Sequence, residues 1–122
     1  MALLNQLGNL SSQKGLIHGF SSISDGNMSF LWGKEGEVLS NRSRFLGKLG
    51  ARLEKCAVMS VLDSGEIKVI DTDTPVGIGK EEKIRADALV TGKKGLFLFL
   101  LIADCLPVIL YDPTRGVLAL AH

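Results

Sequence analysis

Apolar and polar positions alternate along this chain with two different periods. From Gly36 to Leu53, the positions Val38, Leu39, Arg42, Phe45, Leu46, Leu49 and Leu53 recur at helical spacing. Gly47 and Gly50 each weaken that helix by about 1 kcal/mol relative to Ala, so tertiary packing must hold it. Ahead of the helix, Lys14 to Ser22 reads as a short strand, followed by a turn at Ser24-Asp25-Gly26-Asn27. Beyond it, Cys56 to Leu62 and Glu66 to Ile70 read as strands joined through Asp63-Ser64-Gly65. Asp71 to Lys83 carries Pro75, Gly77 and Gly79 and reads as a loop. Ala88 to Thr91 reads as a short strand, Gly92 to Gly95 as a turn, and Leu96 to Ala103 as a long apolar strand.

The last segment predicts a β-hairpin. Ile102 to Tyr111 and Val117 to His122 flank Asp112-Pro113-Thr114-Arg115-Gly116, where Pro presets φ and Gly accepts a positive one. Pairing Tyr111 with Val117 sets Leu106 opposite His122 and Cys105 diagonally beside it, and a shift of one residue would make Cys105 the direct partner. Side chains on paired strands meet within about 4.5–8 Å, a range in which a thiol and an imidazole share a metal ion or a proton. Leu96 to Leu110 is apolar on both alternating faces, so other layers are expected to cover it on both sides. One modest helix is too little for that. With the chain stopping inside a strand, the expectation is a single domain over residues 1–122 that forms the first part of a larger one.

Composition narrows the function classes. Hydrophobic residues make up 46% and charged residues 22%, which supports a packed core and argues against disorder. A net charge of +1 with interspersed signs gives no footprint for nucleic acid or an anionic membrane. Two cysteines, Cys56 and Cys105, are too few for a disulfide framework. Met1 to Gln6 lacks the features of a signal peptide, and the apolar run ending at Asp104 is shorter than the roughly 20 residues of a membrane span. A cytoplasmic location is the default expectation. Gly77-Ile78-Gly79-Lys80 lacks the order of a phosphate loop and reads as an ordinary loop. Lys93-Lys94 reads as a solvated tip, and His18 as a core imidazole.

Ala103-Asp104-Cys105-Leu106-Pro107-Val108, Tyr111-Asp112-Pro113, Gly116 and Ala121-His122 together resemble the bacterial laccase-domain family. That family was once called multicopper polyphenol oxidases and is now viewed mainly as purine nucleoside phosphorylases. The likeness includes the spacing between Cys105 and His122. It extends backwards through Arg85-Ala86-Asp87-Ala88-Leu89-Val90-Thr91, Asn41-Arg42 and Ile17-His18-Gly19-Phe20-Ser21-Ser22. It covers nearly the whole chain but only about the first half of the family's domain. The fold it implies is α+β, a layered mixed α/β sandwich with a largely antiparallel sheet.

The resemblance also implies a zinc ion held by one Cys and two His, with Cys105 and His122 in two of those places. Where the family reads Gln-Val-His-Gly, this chain reads Val61-Leu62-Asp63-Ser64-Gly65, which puts Asp63 at the third ligand position. A carboxylate ligates zinc. Ser24 replaces a family Arg, Ile102 replaces a Thr, and the Trp-Arg-Gly continuation after His122 is missing.

Three protein ligands with an open fourth position match a catalytic zinc, which brings bound water toward a pKa of about 7. The implied substrates are a purine nucleoside and phosphate, or adenosine for a deaminase. Cys105 and His122 are the expected catalytic residues, with Asp63, Cys105 and His122 as the metal set. Asp104 is expected to orient the site or to serve structure alone. Arg85 and Asp87 are expected either to pair with each other or to touch substrate. Copper is the less favoured metal, because a multicopper site needs many His ligands and this chain has His18 and His122 alone. Two other readings stand beside the enzyme: a truncated, non-catalytic half-domain that folds with a partner or a second copy, and a hydrolase of cell-wall precursors.

Overall fold

A computed structural model describes residues 4–81 and 83–122, with Lys83 described by its backbone alone. Met1 to Leu3, part of the stretch read as carrying no leader, lie outside the described residues. After a four-residue helical turn, α1 (Gly8–Ser11), the one long helix among the described residues is α2 (Glu35–Lys48). It stops short of the expected Leu53 because Gly50 takes a left-handed φ of 69°. Ala51 N–H then donates to the Leu46 carbonyl at 3.0 Å, and Gly50 N–H to the Gly47 carbonyl at 3.1 Å. This double closure satisfies the last carbonyls of the helix.

Seven strands follow: β1 (Cys56–Ser60), β2 (Ile67–Val69), β3 (Lys83–Arg85), β4 (Ala88–Thr91), β5 (Phe97–Leu100), β6 (Val108–Asp112) and β7 (Val117–Ala121). They form two sheets, with orders β3-β1-β5 and β2-β4-β7-β6. The chain crosses from one sheet to the other at every step from β1 to β6. This gives the expected mixed α/β layering. The largely antiparallel sheet expected is not what forms: antiparallel strand pairing is confined to the four-stranded sheet, in β4 with β7 and β6 with β7. The three-stranded sheet is parallel throughout, and β2 also runs parallel to β4.

β1 explains why the two sheets stack. As the centre of its sheet it is buried on both faces, and successive side chains point in opposite directions. Cys56 and Val58 join Phe45 and Leu46 of α2, with Met28, Ile78 and Phe99, in one core. Ala57 and Met59 join Ile70, Ile84, Ala86 and Leu89 in a second core, against the four-stranded sheet. The layers are therefore helix, parallel sheet and mixed sheet.

Three expectations are corrected. Lys14 to Ser22 is not a strand; its β-pairing among the described residues is the single bridge of Phe20 with Asn5. Gln6 Nε2 donates to the His18 carbonyl and Leu7 N–H to His18 Nε2, and Gly15 sits at a φ of 83°. The loop read over 71–83 ends in β3, whose Lys-Ile-Arg offers a single apolar residue and no alternation to read. The double cover expected over Leu96 to Leu110 is incomplete. β6 is an edge strand, and its outward Leu110 is 61% exposed, as Leu106 is 78% exposed on the approach to it. Among the described residues no helix is long and apolar enough to cross a membrane.

Candidate functional site

The topology gathers the chemistry-bearing residues at one end of the four-stranded sheet. Asp63 lies in the crossing that precedes β2, Asp87 immediately precedes β4, His122 follows β7, and Cys105 lies on the approach to β6. The register fixes this, because Ala88 and Val108 both pair with Ala121, the residue before His122.

Asp63 and His122 come together. Asp63 Oδ1 lies 4.0 Å from His122 Nδ1, with the imidazole side chain 21% exposed and the carboxylate 83% exposed. Asp63 takes a left-handed φ of 56°, the single non-glycine residue to do so among those described. Asp, Asn and His tolerate that conformation better than other side-chain-bearing residues. The following Gly65, at a φ of 81°, completes the turn.

Cys105 is not brought to them. The expected hairpin forms, with Gly116 N–H donating to the Asp112 carbonyl at 2.8 Å and Thr114 and Arg115 N–H to Asp112 Oδ1. Asp112 itself pairs with Val117, however, so the register differs by one residue from the expected pairing of Tyr111 with Val117. The shift runs away from Cys105. β6 starts at Val108, and Cys105 sits in an exposed bend with Asp104, outside the ladder. Among the described residues no three His, Cys, Asp or Glu side chains converge as a metal cluster. Zinc ligands at about 2.0–2.2 Å in a tetrahedron stand roughly 3.4 Å apart, so the Asp63–His122 separation is within reach of a shared ion. Two donors of the expected set fit, and the third does not in this arrangement.

Asp87 is the residue that sequence reasoning undervalued. Its carboxylate accepts five consecutive backbone N–H groups: Leu62 at 2.9 Å and Asp63 at 2.7 Å on Oδ1, then Ser64 at 2.7 Å, Gly65 at 2.6 Å and Glu66 at 3.2 Å on Oδ2. Desolvation pushes its pKa up, but the N–H donors of Ser64, Leu62, Asp63 and Gly65 outweigh that and hold it well below the usual carboxylate range. Arg85 is exposed and makes no ion pair with Asp87 among the described residues, which removes the expected pairing. Arg-Ala-Asp in the sequence gave no sign of this role, since the partners are main-chain groups.

A cavity of about 1330 Å³ lies elsewhere, bounded by Leu98 and Leu100 of β5, Ile109 of β6, Leu118 and Leu120 of β7, and His18. None of Asp63, Cys105 and His122 lines it. His18 is buried, as expected of a core imidazole, and its Nε2 accepts Leu7 N–H at 2.8 Å.

The sequence profile of the family described as multi-copper polyphenol oxidoreductase laccase matches residues 15–122. The chain belongs to this family. A purine nucleoside phosphorylase of Corynebacterium glutamicum is 40% identical over 85 residues, covering 70% of this chain and 33% of that protein. One from Streptomyces coelicolor is 38% identical over 90 residues, covering 71% of this chain and 34% of that protein. An adenosine deaminase from an unknown prokaryotic organism is 28% identical over 116 residues, covering 92% and 44%. In three dimensions the laccase-domain likeness extends to YlmD from Geobacillus stearothermophilus. There the TM-score is 0.72 at 28% identity, over 79% of this chain and 37% of that one. The chain therefore spans about a third of the length of the first two relatives.

Proposed function

We propose that this chain contributes to a zinc-dependent purine nucleoside phosphorylase, with Asp63 and His122 as the metal-binding pair and Cys105, on the exposed bend before β6, as a third ligand that has to move to join them. The observation that carries the reading is the approach of Asp63 to His122 at the sheet end that Cys105 also adjoins. Relatives named as purine nucleoside phosphorylases support the substrate class. In the proposed reaction a phosphate oxygen bonds to the anomeric carbon of the ribose as the N-glycosidic bond breaks. The purine leaves with that electron pair and takes up a proton. Bound zinc supplies a Lewis acid at the site. His122 and Asp63 contribute an imidazole and a carboxylate there, and the exposed Cys105 contributes a thiol. A cytoplasmic location belongs to the same reading.

The deciding experiment measures zinc content together with turnover of inosine and adenosine in the presence of inorganic phosphate. Stoichiometric zinc with release of ribose 1-phosphate supports phosphorolysis, whereas ammonia release from adenosine points to the deaminase. A chain that takes up no zinc and turns over neither nucleoside overturns the proposal. The half-domain reading has its own support in the open outer side of β6 and its approach, at Leu106 and Leu110. It expects a stable dimer without metal or turnover.

A further inference from the structure

We propose that Asp87 is a positioning residue that sets Asp63 against His122. The inference rests on the reading of those two side chains as the working pair. One residue governs both partners through different atoms. Its carboxylate takes the N–H groups of residues 62 to 66, with Ser64 Oγ adding a contact at 3.4 Å, and so fixes the turn that presents Asp63. Its carbonyl accepts the His122 N–H at 2.9 Å, which anchors the end of β7 beside that turn. Its own N–H donates to the Glu66 carbonyl at 2.8 Å and closes the turn from the other side.

Five main-chain donors need an acceptor with two oxygens and no proton of its own. An amide at this position offers one oxygen and aims an N–H group at donors that have no lone pair to receive it. The turn then has to open. Because neither side chain lies in the two cores around β1, opening the turn leaves the layered fold standing. The left-handed Asp63, whose conformation the turn imposes, is the residue that moves.

The test compares the 122-residue chain with Asp87→Asn and Asp87→Glu by NMR and by cobalt titration. In the parent chain, through-hydrogen-bond couplings from the amides of residues 62–66 to the Asp87 carboxyl carbon are expected, with a nuclear Overhauser contact between Asp63 and the His122 ring. D87N is expected to speed amide exchange at residues 63–65 at least about tenfold and to abolish that contact. Exchange at Ala57 to Met59 stays unchanged, and D87E recovers part of the protection. Cobalt affinity falls at least about tenfold in D87N, on the scale of losing an outer-shell partner.

A contact between Asp63 and His122 that survives in D87N, with exchange unaltered, overturns the assignment. Missing couplings in the parent chain overturn it too, even if D87N fails to fold. A parent chain that ignores cobalt yet loses the contact in D87N sinks the metal reading and leaves the positioning role intact.

Discussion

Asp63 Oδ1 stands 4.0 Å from His122 Nδ1, although Asp63 lies in the crossing before β2, His122 follows β7 and the carboxylate is largely open to water. Their approach is a product of topology: β2, β4 and β7 are neighbours, so whatever precedes β2 and follows β7 meets at one sheet end. Replacing Asp63 with Ala is expected to weaken zinc binding at least about tenfold, the lower scale for disturbing even an outer-shell partner. Asp63→His gives the site a second imidazole and is expected to tighten zinc binding, since His tolerates the left-handed backbone. Competition against a chromogenic chelator reads both. Equal affinities across Asp, Ala and His at this position would remove Asp63 from the metal set.

The sequence carried some of this arrangement and concealed the rest. α2 was legible because one face of a helix repeats locally, and its early end at Gly50 was legible only as a weakness. The hairpin turn was legible from Asp-Pro and Gly, but its register was not: whether Asp112 joins the ladder or the loop depends on pairing with Val117. That single residue separates a Cys105 beside His122 from one outside the ladder. The alternation of strands between sheets has no local code, because parallel partners are set by crossovers and not by neighbours in the chain. Asp87 was hidden for a related reason, as its partners are backbone N–H groups that any residue could supply.

The two thiols are expected to separate cleanly by reactivity. Cys56 is fully buried in β1, and burial, with the charge of Glu54 second, pushes its thiol up to about 11. At pH 8 roughly one part in a thousand of it is thiolate. Cys105 is exposed. Titration with Ellman's reagent should find one fast thiol per native chain and a second only after unfolding. Saturating zinc should protect the fast one if Cys105 completes the metal set. Two fast thiols in the native state would contradict the burial of β1.

Asp25 is expected to tie stability to acid pH. Its carboxylate is held below the ordinary value near 3.8 by Lys48 first and then by the Ser22 N–H, against the opposing effect of burial. Lys48 Nζ donates to Asp25 Oδ1, and Ser22 N–H to Oδ2 at 2.8 Å. A depressed folded pKa contributes stability above the unfolded value and loses it as pH falls through the folded one. Asp25→Asn should therefore cost about 2 kcal/mol at pH 7, on the scale of a hydrogen bond to a charged group. That difference should shrink as pH falls below about 4, where the unfolded carboxylate takes up its proton first, and vanish as the folded one follows at lower pH. Parallel urea melts at pH 7 and pH 3 measure the two gaps, and an equal gap at both would exclude the linkage.

Arg42 occupies the one place in α2 where a charge is fully buried, and no carboxylate pairs with it among the described residues. Instead Nε donates to the Met28 carbonyl at 2.9 Å and Nη1 to the Ile78 carbonyl at 2.7 Å. The guanidinium carbon sits 4.4 Å from the centre of the Phe30 ring and 5.3 Å from that of Phe99. Main-chain dipoles and aromatic faces thus offset its desolvation, which burial registers as a lowered pKa. The planar fork also links the helix to two loops, those around Met28 and Ile78, that bound the first core. Lys in this place keeps the charge but loses both the fork and the flat stack, so at least one carbonyl loses its donor. Arg42→Lys is expected to destabilise the fold by about 2–4 kcal/mol, the sum of an unpaired carbonyl and a poorly solvated ammonium. Chemical denaturation with a fixed m-value tests it; a loss under about 0.5 kcal/mol, the range of an ordinary surface change, would mean that the fork does not bind the loops to the helix.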